Sequence, residues 1–254
     1  MSNIRKRHFF FENINEWIFI LGVPCGCKHF HMQTHRFQIL FFICALLEIT
    51  SQIFSLPNLH WVAKPLLVVL LAAYYLQRVP SVNNAFLFAL VFCWLGDILL
   101  MFDHYHELFF MAGLGSFLIA HMLLIFSYRQ LLLADDNFQG TQRVRLSFPI
   151  ILAGSGLVVI LYPRLNELKI PVMVYALVLT LMVVQSIFRL GRTNAKSFSL
   201  VFFGAVFFLF SDSLLAINKF YQPIRFAAVW VMSTYIAALY LIVNGVIAHD
   251  EKLR

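Results

Sequence analysis

Eight long apolar runs, separated by short polar breaks, constrain this sequence more than any other feature. The runs lie near residues 37–56, 61–77, 84–102, 108–131, 146–162, 170–189, 198–218 and 226–248. A helix of about 17 to 25 apolar residues is long enough to cross the hydrocarbon core of a bilayer. Hydrophobic residues make up 61% of the chain and charged residues 12%, whereas a soluble domain is about half apolar and about a quarter charged. We therefore predict an all-α fold, a polytopic membrane helical bundle with about eight transmembrane helices.

The breaks define the domain organisation. Most of them are short, so consecutive helices are expected to be antiparallel neighbours in one bundle. Only the break at 132–145 resembles a true loop. We predict a transmembrane domain over 37–248, preceded by a basic tail (1–36) that contains an interfacial amphipathic helix at 9–24, and followed by a short tail (249–254).

The basic residues predict the orientation. With eight spans, both termini lie on one side, and 14 of the 19 Lys and Arg residues fall at the termini and in the even-numbered loops. The positive-inside rule then places the termini in the cytoplasm, and this distribution suits a bacterial inner membrane. Because the basic residues form no stripe on one helical face, the net charge of +7 does not indicate a nucleic-acid partner.

The cysteines do not indicate a disulfide framework. Cys44 and Cys93 lie inside apolar runs and are typical of small core residues. The segment CGCKHFHMQTH at 25–35 has a composition that could bind a metal, but its spacing fits no standard zinc pattern. We interpret this segment as a basic juxtamembrane tail and expect neither a metal nor a cofactor.

Three acidic residues fall inside the apolar runs: Glu48, Asp97 and Asp212. A charge within a span costs about 2.5 to 3.5 kcal/mol on insertion scales, so each acid requires an explanation. Asp97 lies about five residues before the end of the third helix and Asp212 about six before the end of the seventh. These helices run in parallel, so both carboxyls should lie at a similar depth, and we predict a functional pair. Glu48 is interpreted as a structural or water-facing group.

A structural role for the two aspartates is the first alternative. Lys64 at the start of the second helix and His121 inside the fourth could pair with them and simply hold helices together. On the fourth helix, Gly113, Phe117 and His121 recur every four residues and share one face.

Several motifs, taken in order, carry a family resemblance. They are Lys64-Pro65, GDILLM at 96–101, GLGSFLIAH at 113–121, PVMVYALVLTLM at 171–182 and GAVFFLFSDSLLAINKF at 204–220. This ordered set resembles the YhhN family of membrane proteins, the transmembrane lysoplasmalogenases, over about residues 40 to 245. The last helix departs from the family pattern, because Leu239 stands where a Gln is expected two residues before a Leu-Ile pair.

The resemblance implies hydrolysis of the vinyl ether bond of a lysoplasmalogen, a lysophospholipid substrate, to a fatty aldehyde and glycerophosphoethanolamine or glycerophosphocholine. A vinyl ether is cleaved through an oxocarbenium ion, and two carboxyls in unlike surroundings suit such a transition state. Asp97 and Asp212 are the expected acid/base pair, and His121 is expected to orient water or tune one carboxyl. The remaining expected contacts are with the lipid: Lys64 and Asn218 for the phosphate, and Phe117, Phe208, Tyr175 and Ser211 around the chain and the reacting bond.

Two other classes of function remain open on the sequence alone. A proton-coupled transporter of small molecules or lipids also uses buried carboxylates, although the prolines cluster at the ends of the runs rather than near mid-membrane. A lipid-binding or scaffolding protein would use the acids only as structural groups. The sequence contains neither GxSxG nor HExxH, so serine-nucleophile and zinc-protease chemistry are disfavoured.

Overall fold

The structure is a computed structural model, and it describes residues 30–132 and 140–251, with side chains for 36–132 and 140–249. Within these ranges the chain forms eight helices and no strand. In chain order they are α1 (Phe30–Phe54), α2 (Pro57–Arg78), α3 (Asn84–Met101), α4 (Glu107–Gln130), α5 (Gly140–Leu161), α6 (Lys169–Ile187), α7 (Ala195–Ala216) and α8 (Ala227–Glu251). Two 3₁₀ turns, Tyr162–Arg164 and Asn166–Leu168, connect α5 to α6.

The outer faces of the helices are apolar, as the membrane assignment requires. Eight segments are long and apolar enough to cross a bilayer. Large hydrophobic side chains such as Leu46, Phe148 and Val159 are more than 60% exposed, which would be unfavourable in water. The predicted fold class, a helical bundle with eight membrane-spanning helices, is confirmed.

Small residues bring neighbouring helices close together. A Cβ atom added to Gly204 of α7 would lie 3.0 Å from the carbonyl oxygen of Ala238 on α8. A Cβ atom added to Gly96 of α3 would lie 2.7 Å from the ring of Phe117 on α4. In a membrane, such close approach allows van der Waals packing between helices. The two antiparallel pairs α3–α4 and α7–α8 are the most extensive contacts in the bundle.

The end of α7 changes its helical form. After Ala216 the chain continues as a π-helical turn, Ile217–Tyr221, a form that is frequent at functional sites. The side chain of Asn218 closes the following loop, because its Oδ1 accepts a hydrogen bond from the backbone N–H of Ile224 at 2.9 Å.

The fifth helix begins earlier than the apolar run that predicted it. The structure starts α5 at Gly140 rather than at 146, so the first turns are polar. Arg143 lies in this extension, is buried, and donates from Nε to the carbonyl oxygen of Leu190 at 3.0 Å. The predicted interfacial helix at 9–24 and the side chains of the Cys/His segment at 25–35 lie outside the described residues, and the domain boundaries stay a prediction.

Candidate active site

A cavity of about 180 Å³ opens inside the bundle, at the end where α3 and α7 terminate; we call this the cavity end. The volume far exceeds the roughly 10–15 Å³ that one water requires. Most lining residues are apolar and come from α4, α5, α6 and α8. The polar lining residues are Lys64, Asp97, Asp103, Tyr175, Ser211, Asp212, Ser213 and Tyr235. An apolar pocket with a few convergent polar groups is the usual form of a small-molecule site.

Asp97 is held by two partners from different helices. Its side chain is almost fully buried, and the hydroxyl of Tyr235 on α8 donates to Oδ2 at 2.7 Å. The ammonium of Lys64 on α2 lies 3.8 Å from Oδ1. Pairing of Lys64 with a buried acid, which the sequence left open as the structural alternative, is therefore observed for Asp97, and the pair lies between α2, α3 and α8; the phosphate contact expected of Lys64 stays a prediction.

Asp212 has different surroundings. The hydroxyl of Tyr175 on α6 donates to its Oδ2. No Lys, Arg or His among the described residues forms an ion pair with Asp212. The neighbouring Ser211 lines the same cavity, and its hydroxyl donates to the carbonyl oxygen of Val231 on α8 at 3.1 Å. Of the three carboxyls in the cavity lining, Asp97 and Asp212 are each bonded to one tyrosine, and of these two only Asp97 is paired with a cation among the described residues.

Three of the predicted site residues do not line the cavity. His121 is fully buried behind it, packing edge-to-face on Tyr175 with ring centroids 5.5 Å apart and on Phe208 at 4.7 Å. Neither ring nitrogen of His121 has a hydrogen-bond partner in the described part of the chain. Phe208 also lies behind the cavity and packs on Tyr235, with ring centroids 5.4 Å apart. Asn218 bonds within the loop after α7 instead.

Sequence reasoning missed three polar lining residues, Asp103, Ser213 and Tyr235. Tyr235 lies on α8, the helix that departs from the family pattern at Leu239, and for that reason no site residue was predicted there. Leu239 itself is a buried core residue outside the lining. Asp103 lies in a predicted loop between helices, where an acid requires no explanation. Tyr235 could have been found from its position, since a Tyr in an apolar run must find a hydrogen-bond partner.

Glu48 belongs to a separate buried cluster. Its Oε1 lies 2.7 Å from Nδ1 of His60 and accepts from Nε2 of Gln52 at 2.8 Å. This arrangement agrees with the structural role predicted for Glu48. Among the side chains described, those of residues 36–132 and 140–249, no group of three His, Cys, Asp or Glu could hold a metal ion.

The fold and the cavity together define a class: a multi-pass helical membrane protein with two carboxyls of its spanning helices in a largely apolar cavity. Within that class the chain belongs to the YhhN family, which residues 59–246 match.

Three similar proteins are named lysoplasmalogenase. Two are from Mycobacterium bovis and Mycobacterium tuberculosis, each 34% identical over 138 residues, which is 54% of this chain and 50% of theirs. The third is human lysoplasmalogenase TMEM86B, 29% identical over 133 residues, or 52% of each chain. The aligned region thus spans about half the length of these relatives. No solved structure matches the chain.

Proposed function

We propose that the protein is a lysoplasmalogenase, an ether hydrolase that cleaves the vinyl ether bond of a lysoplasmalogen in the membrane. The observation that carries this proposal is the cavity itself, in which Asp97 and Asp212 share a largely apolar space but have unlike partners. The names of the similar mycobacterial and human proteins agree with it.

The unlike partners suggest which carboxyl performs which step. Lys64 lies beside Asp97, and an adjacent cation favours the charged form of a carboxyl, so we assign Asp97 the role of the carboxylate. Among the described residues, Asp212 has the Tyr175 hydroxyl as its one side-chain partner, and it is assigned the role of the acid. Pairs of carboxyls with divided roles are the usual solution for oxocarbenium-like transition states.

The reaction then balances over four proton transfers. Asp212 gives its proton to the β-carbon of the vinyl ether, and the resulting oxocarbenium ion lies beside the Asp97 carboxylate. Asp97 accepts a proton as water adds to the α-carbon and forms the hemiacetal. On collapse of the hemiacetal, its hydroxyl proton, which came from water, reprotonates Asp212, and Asp97 passes the other water proton to the departing glycerol oxygen, while the proton first given to the β-carbon stays in the aldehyde. Aldehyde and glycerophospholipid head group leave, and both carboxyls are restored.

The other predicted residues receive supporting roles. Phe117 and Tyr175 line the cavity and are proposed to contact the alkenyl chain, with Phe208 behind them. His121 supports the ring of Tyr175, so we propose that it positions this tyrosine rather than transferring a proton. With the termini in the cytoplasm, as the basic residues predict, the cavity end would face the outer side of a bacterial inner membrane.

The decisive experiment measures fatty aldehyde released from lysoplasmenylethanolamine by purified protein in detergent. Wild type is compared with Asp97→Asn and Asp212→Asn, and with Glu167→Gln, which neutralises an exposed acid at the same end of the bundle but outside the cavity. We expect turnover by wild type and Glu167→Gln, and a loss of at least about a hundredfold in each aspartate variant that melts like wild type.

Aldehyde release at the wild-type rate by both folded Asn variants would refute the carboxylate mechanism. The absence of aldehyde from folded wild type would refute the hydrolase and favour a transporter that uses the same two acids.

A further inference from the structure

An ion pair lies at the mouth of the cavity. Asp103, just after α3, lines the cavity, and the ammonium of Lys219 in the π-helical turn donates to its Oδ2 at 3.0 Å. About a third of the Asp103 side chain (35%) and 40% of the Lys219 side chain are exposed. Because the lining carboxyl of Asp103 and its partner Lys219 are both partly exposed, we call this position the cavity mouth.

Aromatic rings complete the surroundings of this ammonium. Nζ of Lys219 lies 4.9 Å from the ring centroid of Phe110, and Phe110 packs edge-to-face on Phe220 at 5.8 Å. Both phenylalanines line the cavity. A carboxylate with aromatic rings beside it is the environment in which proteins bind primary and quaternary ammonium groups. The lysine ammonium thus lies in a position whose chemistry would equally suit an ammonium from a ligand.

The spacing along the helix from Asp212 to Lys219 is comparable to the length of a lipid head group. Lys219 follows Asp212 by seven residues, which is about 10 Å along a helix at 1.5 Å per residue. In a phosphoethanolamine lysolipid, nine bonds separate the vinyl ether oxygen from the amine nitrogen. An extended chain gains about 3.3–3.6 Å for every three bonds, so this separation is also about 10 Å.

We propose that Asp103 and Lys219 form the recognition site for a zwitterionic head group, Asp103 binding its ammonium together with Phe110, and Lys219 binding its phosphate. This inference rests on the proposed function, because it places the vinyl ether between Asp97 and Asp212. Binding exchanges one ion pair for two: the ligand ammonium takes the position beside Asp103, and Lys219 turns to the phosphate. The site would select phosphoethanolamine or phosphocholine lipids over those with a bare phosphate or no head group.

The competing interpretation is a surface ion pair that merely joins the end of α3 to α7. Exposed pairs of this kind contribute little to stability. A double variant distinguishes the two interpretations, because Asp103→Lys with Lys219→Asp keeps an ion pair between the same helices but reverses its polarity at the cavity mouth.

The experiment uses three substrates with one alkenyl chain: lysoplasmenylethanolamine, the corresponding alkenylglycerol phosphate, and the alkenylglycerol. The readout is the ratio of kcat/KM between substrates, which cancels any loss common to all three. The variants are Asp103→Asn, Lys219→Gln and the charge swap. Glu167→Gln and Lys169→Gln are matched controls, since both remove a charge at the cavity end from residues outside the lining.

We expect Asp103→Asn to lower the preference for phosphoethanolamine over bare phosphate by about three- to tenfold, because it removes the ammonium contact and releases Lys219 for the phosphate. Lys219→Gln should lower the preference of both phosphate lipids over alkenylglycerol by a similar factor. The charge swap should lose the preference for phosphoethanolamine, and the two controls should keep it. Wild-type ratios in Asp103→Asn and in the swap would overturn the proposal.

Binding of an uncleavable lipid separates this proposal from the hydrolase. Two ligands are titrated in detergent: a lysophosphatidylethanolamine whose chain is joined by a saturated alkyl ether, and the same alkyl ether of glycerol without a head group. The readout is the ratio of their affinities. A relative affinity that falls in Asp103→Asn and Lys219→Gln supports the head-group site even if wild type releases no aldehyde from any substrate. Equal relative affinities in wild type and both variants would refute the site, whatever the activity.

Discussion

The hydroxyl of Tyr235 offers the cleanest perturbation of the site, because Tyr235→Phe removes one oxygen and leaves the ring. The ring is buried and packs edge-to-face on Phe208 and Phe117, so the variant should fold. What it loses is the hydrogen bond of 2.7 Å to Oδ2 of Asp97. Without this bond only Lys64, at 3.8 Å, fixes the carboxylate, and the group is free to rotate.

The magnitude follows from the kind of bond that is lost. A hydrogen bond to a charged group contributes about 1.5–3 kcal/mol. If that energy orients the carboxylate in the transition state, and since each 1.36 kcal/mol is a tenfold change in rate, we predict a fall in kcat of about ten- to 150-fold. KM should change little, because the hydroxyl acts on Asp97 and not on the lipid chain.

The assay is steady-state aldehyde release from lysoplasmenylethanolamine, with thermal unfolding followed on the same samples. Tyr240→Phe is the matched control, because it removes a hydroxyl from the same helix but outside the cavity. The Tyr240 hydroxyl accepts a hydrogen bond from Nε2 of Gln38 at 2.7 Å. Tyr240→Phe should keep the wild-type kcat. Combining Tyr235→Phe with Asp97→Asn should lower activity no further than Asp97→Asn alone, since both act through one carboxyl.

A wild-type kcat in folded Tyr235→Phe would show that the hydroxyl does not position Asp97 for the reaction. An equal loss in Tyr240→Phe would show that the effect comes from the packing of α8. Either result would refute the positioning role of Tyr235.

Three further predictions concern the helices around the cavity. Gly204→Ala should destabilise the fold by about 1–3 kcal/mol, because the added methyl meets the backbone of α8, whereas Gly115→Ala, which faces open space, should not; thermal melts in detergent measure both. Glu48→Gln should lower the melting temperature but leave turnover per folded molecule nearly unchanged, because the carboxyl bonds to His60 and Gln52 outside the cavity. The loss of its charge-assisted bonds costs about 1–3 kcal/mol of stability. His121→Phe should keep turnover within about threefold because a ring of similar size still supports Tyr175, while His121→Ala should lower it well beyond that. Wild-type turnover in a folded His121→Ala would contradict the positioning role.

The sequence predicts the fold well because membrane insertion requires long apolar runs, and each run of this chain corresponds to one helix. It also points to Asp97 and Asp212, because an acid in an apolar run is costly to insert into a membrane. Both acids lie near the ends of helices that run in the same direction, so they lie at a similar depth. Both residues line one cavity, as expected from their positions on α3 and α7.

The remaining site residues depend on contacts that sequence spacing does not encode. His121 shares a face of α4 with Phe117 but lies one turn farther from the cavity end, so Phe117 lines the cavity and His121 packs behind Tyr175. Asp103 lies in a polar break, and only the π-helical turn after α7 brings Lys219 to it. The start of α5 at Gly140 was missed because polar residues such as Arg143 continue a helix beyond the apolar run once they find buried partners.

The central claim is that a fixed carboxyl, Asp212, delivers a proton to the β-carbon of the vinyl ether. The most direct test is turnover in D₂O, with the aldehyde reduced immediately by borohydride and the configuration of the resulting alcohol determined by NMR of a chiral ester. We predict one deuterium on the carbon next to the former carbonyl, in a single configuration, and no enzymatic product with Asp212→Asn. Absence of deuterium at that carbon, or an equal mixture of both configurations, would contradict the claim.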